Sequence, residues 1–285
     1  MQVELLPADW LVIIYLIFIN VLLVGFRSNL VRWHFYIIVH LVLIITILVS
    51  RLISEPLPLP LQVIRDWYPV ALMFTLYWQV GSFTQLIVQG YYDDVIIRLE
   101  GHIFKGQPSM SLSSRFPFKV LSEFLHLCYL LYYGLLMSLV LPLYLQGRLE
   151  EFYEVVFVDL LITLISFVWF IFVPVAGPRY KFEKIGGPLA TGFFYKLTHS
   201  LLSRASSKGT ALPSLHVSQS LVVLFFAWRY GLPYFSIVLL ICAGILACTV
   251  YGRFHYAIDV VAGVIVACTG FAVGPLIFSF LETGL

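Results

Sequence analysis

Long stretches of apolar residues alternate with short polar connections along most of this 285-residue chain. The apolar stretches lack the strict alternation of half-buried strands, and most approach the roughly 20 residues that a membrane-crossing helix needs. Lipid also requires each span to satisfy its own backbone hydrogen bonds, which favours helices. The pattern therefore predicts an all-α, multi-pass transmembrane bundle of about eight spans, at 11–26, 35–53, 68–89, 121–145, 154–174, 216–230, 234–251 and 257–281.

The sixth predicted span, 216–230, is shorter than the others. A helix of 15 residues rises only about 22 Å, against a hydrocarbon core of about 30 Å. Its first residues follow the polar stretch Pro213-Ser214-Leu215-His216, so we expect the helix to begin below the membrane surface, inside a pocket. The turn Gly231-Leu232-Pro233 then ends the helix and starts a hairpin.

Three connections stand out between the spans. Segment 52–66 contains three prolines, which predicts an extended connection. Segment 90–120 mixes charged and apolar residues and is typical of an amphipathic helix in the interface. Segment 175–215 is the longest predicted loop, and long loops in compact proteins are usually functional or disordered. We divide the chain into N-terminal accessory spans, 1–66, and a catalytic core, 67–285.

Composition agrees with a lipid environment and excludes a soluble domain. Hydrophobic residues make up 61% of the chain and charged residues only 11%, where a soluble protein has about a quarter. A net charge of +2 argues against a nucleic-acid partner, so the expected partner is the bilayer. The four cysteines lie inside apolar segments without a C-x-x-C pair, so neither disulfides nor a structural zinc are expected. The run 11–26 is interpreted as a retained span, not a cleaved signal peptide.

His255 and Asp259 are four residues apart and therefore lie on one face of a helix. A carboxylate bonded to one ring nitrogen fixes the tautomer of the histidine and leaves the other nitrogen free to attack an electrophile. The alternative is a buried pair that only satisfies its own hydrogen bonds. Ionisable groups at membrane depth are costly, which favours a function.

The stretch before the short span is a candidate anion site. Pro213 suits a helix start, and Ser214 is expected to cap the helix. Exposed N–H groups and the helix dipole would attract a phosphate within reach of His216. An ordinary capped helix with an interfacial histidine explains the same residues, so this stretch alone does not distinguish an anion site from a structural helix start.

Two arginines are candidates for holding phosphate oxygens. Arg253 is two residues before His255, and Arg179 ends the turn Gly177-Pro178-Arg179 after the fifth span. The planar guanidinium binds phosphate oxygens in a bidentate way. Contact with lipid headgroups is the alternative for basic residues at span ends.

These residues together resemble a known family. Pro213-Ser214-Leu215-His216 and the later Arg253-Phe254-His255-Tyr256-Ala257-Ile258-Asp259 are similar to the second and third motifs of the type 2 phosphatidic acid phosphatase superfamily. That superfamily includes lipid phosphate phosphatases and the inositol phosphorylceramide and sphingomyelin synthases. The motif region covers roughly 174–263, and the resemblance implies a six-helix core made of the last six apolar segments.

The resemblance also implies roles for the candidate residues. His255 would be the nucleophile that forms a phosphohistidine, and Asp259 would orient it. His216 would protonate the leaving oxygen and later activate the acceptor. Arg179, Ser214 and Arg253 would hold the phosphoryl oxygens, with no cofactor and no metal required.

Two departures separate this chain from the phosphatase pattern. Thr249 stands where that pattern has an arginine, six residues before His255, and Phe172 precedes Arg179 where a lysine is usual. Leu215 also replaces a glycine found in many phosphatases. These departures favour the inositol phosphorylceramide synthase-like branch, which passes a phospho-headgroup from a lipid donor to an alcohol.

Two other functions stay open. A lipid phosphate phosphatase, acting on phosphatidic acid or a prenyl diphosphate, would use the same histidines with water as the acceptor. A non-enzymatic lipid carrier or scramblase would also place charged groups between spans, but on both membrane halves. Donor, acceptor, oligomeric state and the roles of Glu123, His126 and Asp159 are not decided by the sequence.

The side of the membrane that holds the active site is also left open. Basic residues outside the catalytic loop are more numerous on the catalytic side, which the positive-inside rule assigns to the cytoplasm, whereas the family resemblance points outward. The catalytic side carries Arg27, Arg32, Arg98, Lys105, Arg115 and Lys119, and the other side Arg51, Arg65, Arg148 and Arg229.

Overall fold

A computed structural model describes residues 5–53 and 56–283. Within these ranges the chain forms eleven α-helices and no β-strand, which confirms the all-α, multi-pass prediction. The helices are α1 Pro7–Gly25, α2 Trp33–Leu52, α3 Leu59–Phe83, α4 Asp93–Phe104, α5 Pro108–Arg115, α6 Lys119–Leu145, α7 Leu149–Phe172, α8 Phe193–Ala205, α9 Leu215–Arg229, α10 Phe235–Tyr251 and α11 Ala257–Thr283.

Each of the eight predicted apolar segments is a helix. Among the described residues, α1, α2, α6, α7 and α11 are long and apolar enough to cross a membrane, and α10 is a shorter apolar helix of 17 residues. The short α9 has 15 residues, as the sequence predicts. The protein is therefore an integral membrane protein, with α3 and α9 completing the bundle.

Helix α7 lies at the centre of the bundle. It packs against α1, α3, α6, α9 and α11, and most of its side chains are buried. The short α9 packs against α6, α7, α10 and α11, so its first turn lies among four neighbours. Helix α2, by contrast, is mostly exposed, as expected for a helix whose apolar side chains face lipid.

Two connections differ from the sequence prediction. The proline-rich segment 52–66 is not extended throughout, because α3 begins at Leu59 and Pro60 occupies its first turn, where the missing N–H costs nothing. Residues 54 and 55 lie outside the described residues. The predicted loop 175–215 contains α8 and two short 3₁₀ segments. Contacts from other parts of the chain stabilise these elements, which a local pattern does not reveal.

The segment 90–120 contains two helices, α4 and α5, before α6 begins at Lys119. Helix α4 is amphipathic, as predicted, and it contacts the N-terminal end of α11. The boundary between accessory spans and core, drawn at residues 66 and 67, falls inside the continuous helix α3. The division into those two parts remains a prediction.

Candidate active site

His255 lies in the turn that joins α10 to α11. The backbone N–H groups of Phe254 and His255 donate to the carbonyl oxygen of Thr249, at 3.0 and 2.9 Å, so the chain folds back tightly over the end of α10. Arg253 adopts a positive φ of 60° within this turn. Thr249 stands where the phosphatase pattern has an arginine. Its side chain is buried, and its carbonyl oxygen accepts the two hydrogen bonds that hold this turn.

The tautomer of His255 follows from its two neighbours. The ring Nδ1 is 2.9 Å from the carbonyl oxygen of Ala211 and 3.5 Å from Oδ2 of Asp259. Both oxygens are acceptors, so Nδ1 carries the proton and Nε2 has a free lone pair. The sequence assigned this hydrogen bond to Asp259 alone. The backbone of Ala211 supplies the shorter contact, because Oδ2 of Asp259 also accepts from the N–H of Tyr256 at 2.8 Å.

His216 faces His255 from the first turn of α9. The two imidazole rings lie 5.6 Å apart, centroid to centroid. Tyr129 stacks on the ring of His216 at 4.5 Å, and Tyr132 contacts it at 4.3 Å. These aromatic contacts fix the orientation of His216. The sequence around His216 does not predict them, because both tyrosines lie on α6.

Ser214 holds the start of α9 against α11 through its backbone. Its N–H donates to the carbonyl oxygen of Asp259 at 3.0 Å. Gly263 permits this approach, since an added Cβ would lie 2.7 Å from the carbonyl oxygen of Ser214. The side chain occupies the N-cap position but makes no capping hydrogen bond, contrary to the prediction, and it does not line the cavity described below.

Arg179 reaches the same region from the turn after α7. Gly177 has a φ of 99°, and a Cβ at this position would lie 3.0 Å from the carbonyl oxygen of Phe254, so the turn packs directly on the His255 loop. The guanidinium of Arg179 donates to Oγ of Ser206 at 2.9 Å and lies over the ring of Tyr180.

Arg253 does not join this group. Its guanidinium donates to the carbonyl oxygen of Glu183 and to Oγ of Ser113, on a different surface pocket. Partial burial lowers the pKa of Arg253. The structure therefore does not bring Arg253 together with the two histidines and Arg179, and its contact with phosphate remains a prediction.

The two histidines lie at the polar end of a cavity of about 290 Å³. Arg179 is the one positively charged side chain among its described lining residues. The other end is apolar and reaches the outer surface between α3 and α6, where Phe74 is 65% exposed and Tyr133 44%. The cavity thus connects a polar site to the lipid, and a long amphipathic molecule fits this distribution of polar and apolar walls.

A comparison with protein families decides the classification. The family model of the PAP2 superfamily matches residues 113–273, more than half of the chain. The chain belongs to the PAP2 superfamily. No curated protein and no solved structure matches it. Membership supports a membrane enzyme of the lipid phosphatase and phosphotransferase type, with lipid substrates in the bilayer.

In this PAP2 superfamily protein, a second polar group lines the cavity deeper in the membrane. The side-chain amide of Gln219 donates to Oδ2 of Asp159 at 2.9 Å and to Oγ1 of Thr163 at 3.0 Å. Its carbonyl oxygen accepts from the hydroxyl of Tyr132. Gln219 is one helical turn below His216, so the spacing of three residues is the sequence signal that would have found it.

Glu123 and His126 make contacts that stabilise the fold, and neither lines the cavity. The carboxylate of Glu123 accepts from the N–H groups of Phe194 and Tyr195, at 3.1 and 3.0 Å, and so caps the start of α8. His126 bonds to the carbonyl oxygen of Ser122 and packs against aromatic rings. Among the described residues, no group of three or more metal-ligating side chains is close enough to hold an ion.

Proposed function

We propose that this protein transfers a phospho-headgroup from a lipid phosphoester to a lipid alcohol through a phosphohistidine on His255, in the manner of inositol phosphorylceramide synthases. The supporting observation is the position of His255 and His216, which face each other at the polar end of a cavity that opens to lipid. Family membership supports the same class of chemistry.

The first half of the reaction forms the phosphohistidine. Nε2 of His255 attacks phosphorus, and the bond between phosphorus and the lipid oxygen breaks. His216, in its protonated form, gives its proton to that leaving oxygen, so the lipid departs as an alcohol. Asp259, 3.5 Å from Nδ1, stabilises the positive charge that develops on the ring, and Arg179 binds the phosphoryl oxygens.

The second half returns the enzyme to its starting state. His216, now neutral, removes the proton of the acceptor hydroxyl, and the acceptor oxygen attacks phosphorus. The N–P bond breaks, and the electron pair returns to Nε2 of His255. With water as the acceptor the product is a phosphate, and with an alcohol it is a new phosphoester.

The polar group around Gln219 favours an alcohol acceptor. Both amide protons of Gln219 are used, but the Thr163 hydroxyl retains its proton as a donor, and the Gln219 carbonyl retains one lone pair. These are the complements of a hydroxyl or an amide on a lipid that lies in the cavity. Hydrolysis needs no such group at membrane depth, so its presence supports transfer over a phosphatase activity.

The test is turnover by the purified protein in detergent. Phosphatidylinositol, phosphatidic acid and a prenyl diphosphate are offered as donors, each with and without ceramide or diacylglycerol. A new phospholipid that appears only with an acceptor supports the transferase. Free phosphate released equally without acceptor establishes a phosphatase, and lipid movement without turnover supports a carrier or scramblase.

Two histidine variants complete the experiment. His255→Ala should abolish turnover and prevent acid-labile labelling of the protein by a ³²P-labelled donor. His34→Ala removes an exposed histidine outside the cavity, and this variant should retain both turnover and ³²P labelling. Equal activity of His255→Ala and the wild type contradicts the mechanism.

A further inference from the structure

Helix α4 carries two carboxylates that are fully buried although the helix lies outside the long apolar spans. Asp93 and Glu100 share one face of the helix with Ile96 and are inaccessible to solvent. Both precede the part of the chain that the family model matches, 113–273. Neither lines the cavity, so neither is in a position to touch a substrate there.

Asp93 connects the two segments that carry the site. Its Oδ2 accepts from the N–H of Ala176 at 2.8 Å, and its Oδ1 accepts from the N–H of Gly177 at 2.9 Å. The same Oδ1 accepts from the hydroxyl of Tyr256 at 2.9 Å. One side chain thus binds the turn that leads to Arg179 and the residue that follows His255.

Glu100 makes a similar contact at the start of α11. Its Oε1 accepts from the N–H of Ile258 at 3.2 Å, and its other oxygen is buried without a hydrogen-bond partner among the described residues. Burial raises the pKa of Glu100, although the backbone contacts at α11 act in the opposite direction. A carboxylate at a helix N-terminus is also favoured by the helix dipole.

We propose that Asp93 is a positioning residue that fixes Arg179 and His255 relative to each other, with Glu100 supporting the start of α11. This inference rests on the proposed function, because it assumes that Arg179 and His255 act on one phosphate. The reaction needs the phosphoryl oxygens to meet the guanidinium while phosphorus meets Nε2. A displacement of about 1 Å between two such groups is enough to cost about 100-fold in rate.

The carboxylate is suited to this role because it only accepts hydrogen bonds. Three donors converge on it, and two of them are the backbone N–H groups of Ala176 and Gly177. An asparagine of the same size would turn an NH₂ group towards at least one of those donors. The bond lost would be buried, and hydrogen bonds to charged groups are the stronger ones.

The experiment compares Asp93→Asn with Asp94→Asn in the full-length protein. Asp94 is the next residue on the same helix, but its side chain is 71% exposed and pairs with Lys181. We expect Asp93→Asn to lower kcat/KM about 10- to 100-fold, through both kcat and KM. Asp94→Asn should stay within about twofold of the wild type, since exposed pairs contribute little.

Tyr256→Phe separates positioning from general folding. It removes the hydroxyl donor and leaves the Ala176 and Gly177 bonds intact, so kcat should fall several-fold while KM changes little. The double variant Asp93→Ala/Tyr256→Phe should be no worse than Asp93→Ala alone, because Asp93→Ala already removes the oxygen that accepts from the Tyr256 hydroxyl. Multiplicative losses, or an Asp93→Asn enzyme within about twofold of the wild type, would overturn the inference.

Orthovanadate tests the geometry without turnover, because it adopts the five-coordinate arrangement of a phosphoryl group under attack. We expect orthovanadate to raise the melting temperature of the wild type and of Asp94→Asn, and to raise that of Asp93→Asn much less. If no donor is turned over but this difference is found, the proposed function fails and the positioning role stands. Equal vanadate binding by Asp93→Asn and the wild type overturns the positioning role, whatever the turnover.

Discussion

Buried carboxylates lie at both ends of the helical bundle, but their partners differ. At the end away from the cavity, Asp9 accepts from Nε of Arg51 at 2.7 Å and from the hydroxyl of Tyr68 at 2.6 Å. Asp66 accepts from the hydroxyls of Tyr144 and Tyr153, at 2.9 and 2.8 Å. Asp9 also accepts from the backbone N–H of Leu6 at 2.8 Å, but its other partners, and those of Asp66, are side chains of neighbouring spans.

At the cavity end, the carboxylates bind backbone N–H groups of turns. Asp93 binds the turn before Arg179, Glu100 binds the start of α11, and Asp259 binds the N–H of Tyr256. In the part of the chain that the structure describes, Glu100 and Asp259 each keep one buried oxygen without a hydrogen-bond partner. Such incomplete satisfaction is costly, whereas a bidentate ion pair such as Asp9 with Arg51 is well compensated.

Burial of a charge is therefore a weak guide to function in this membrane protein. All these carboxylates are inaccessible to solvent or nearly so, and the sequence offers no rule that separates them. What separates them is whether they fix loops around a cavity or hold spans together. Substitutions at the two ends should accordingly affect different quantities, activity at one end and stability at the other.

The largest effect at the cavity end, after loss of His255, is expected for His216→Gln. Glutamine keeps a polar side chain of similar length but transfers no proton at neutral pH. We expect kcat to fall by about 10²- to 10⁴-fold with little change in the melting temperature. Donors with a more acidic leaving group should be affected less, because they need less protonation. An equal loss for both kinds of donor would contradict the role of His216 as the acid.

Asp259→Asn should lower kcat less than it would if Asp259 alone held the Nδ1 proton of His255. The carbonyl oxygen of Ala211 holds the Nδ1 proton of His255 at 2.9 Å, so the tautomer survives the substitution. What is lost is the negative charge near the ring, and we expect kcat to fall about 10- to 100-fold. A loss near 10⁴-fold would show that Asp259, and not Ala211, fixes the tautomer.

How far the sequence predicts this site depends on the kind of contact. The sequence predicts that His255, His216, Asp259 and Arg179 lie together, because polar residues at the ends of apolar helices are conspicuous. The structure brings them into one region, and their roles remain a prediction. Arg253 is predicted beside them, but its guanidinium donates to Glu183, because closeness in sequence does not fix the direction of a side chain.

The remaining contacts arise from tertiary structure. Asp93 lies 163 positions before Tyr256 and meets it only once α4 packs on α11. Ala211 acts through its backbone carbonyl, so its side chain gives no signal. The predicted helices, by contrast, follow from local hydropathy, which is why all eight apolar segments were recovered while α8, in a polar segment, was predicted as loop.

Asp9→Asn tests the end of the helical bundle that lies away from the cavity. It leaves Arg51, whose side chain is 5% exposed, without its buried counter-ion, and breaking one partner of such a pair is strongly destabilising. We expect a melting temperature lower by about 10 °C in detergent, with kcat and KM of the folded protein within about twofold of the wild type. A large loss of kcat without destabilisation would mean that the two ends of the bundle are coupled.

The smallest effect is expected where a carboxylate of α4 faces solvent. The hydrogen bond and charge of Lys181 lower the pKa of Asp94 below its ordinary value of 3.8. The pair therefore stabilises the folded protein above that ordinary value, and the contribution is lost as the pH falls through the lowered pKa. Lys181→Ala should change the melting temperature by less than about 2 °C at pH 7, and this change should shrink as the pH falls below 3.8. Because Asp93 and Asp94 are neighbours in sequence, a large effect at Asp94 would show that the charge of α4, and not the buried contacts of Asp93, supports the site.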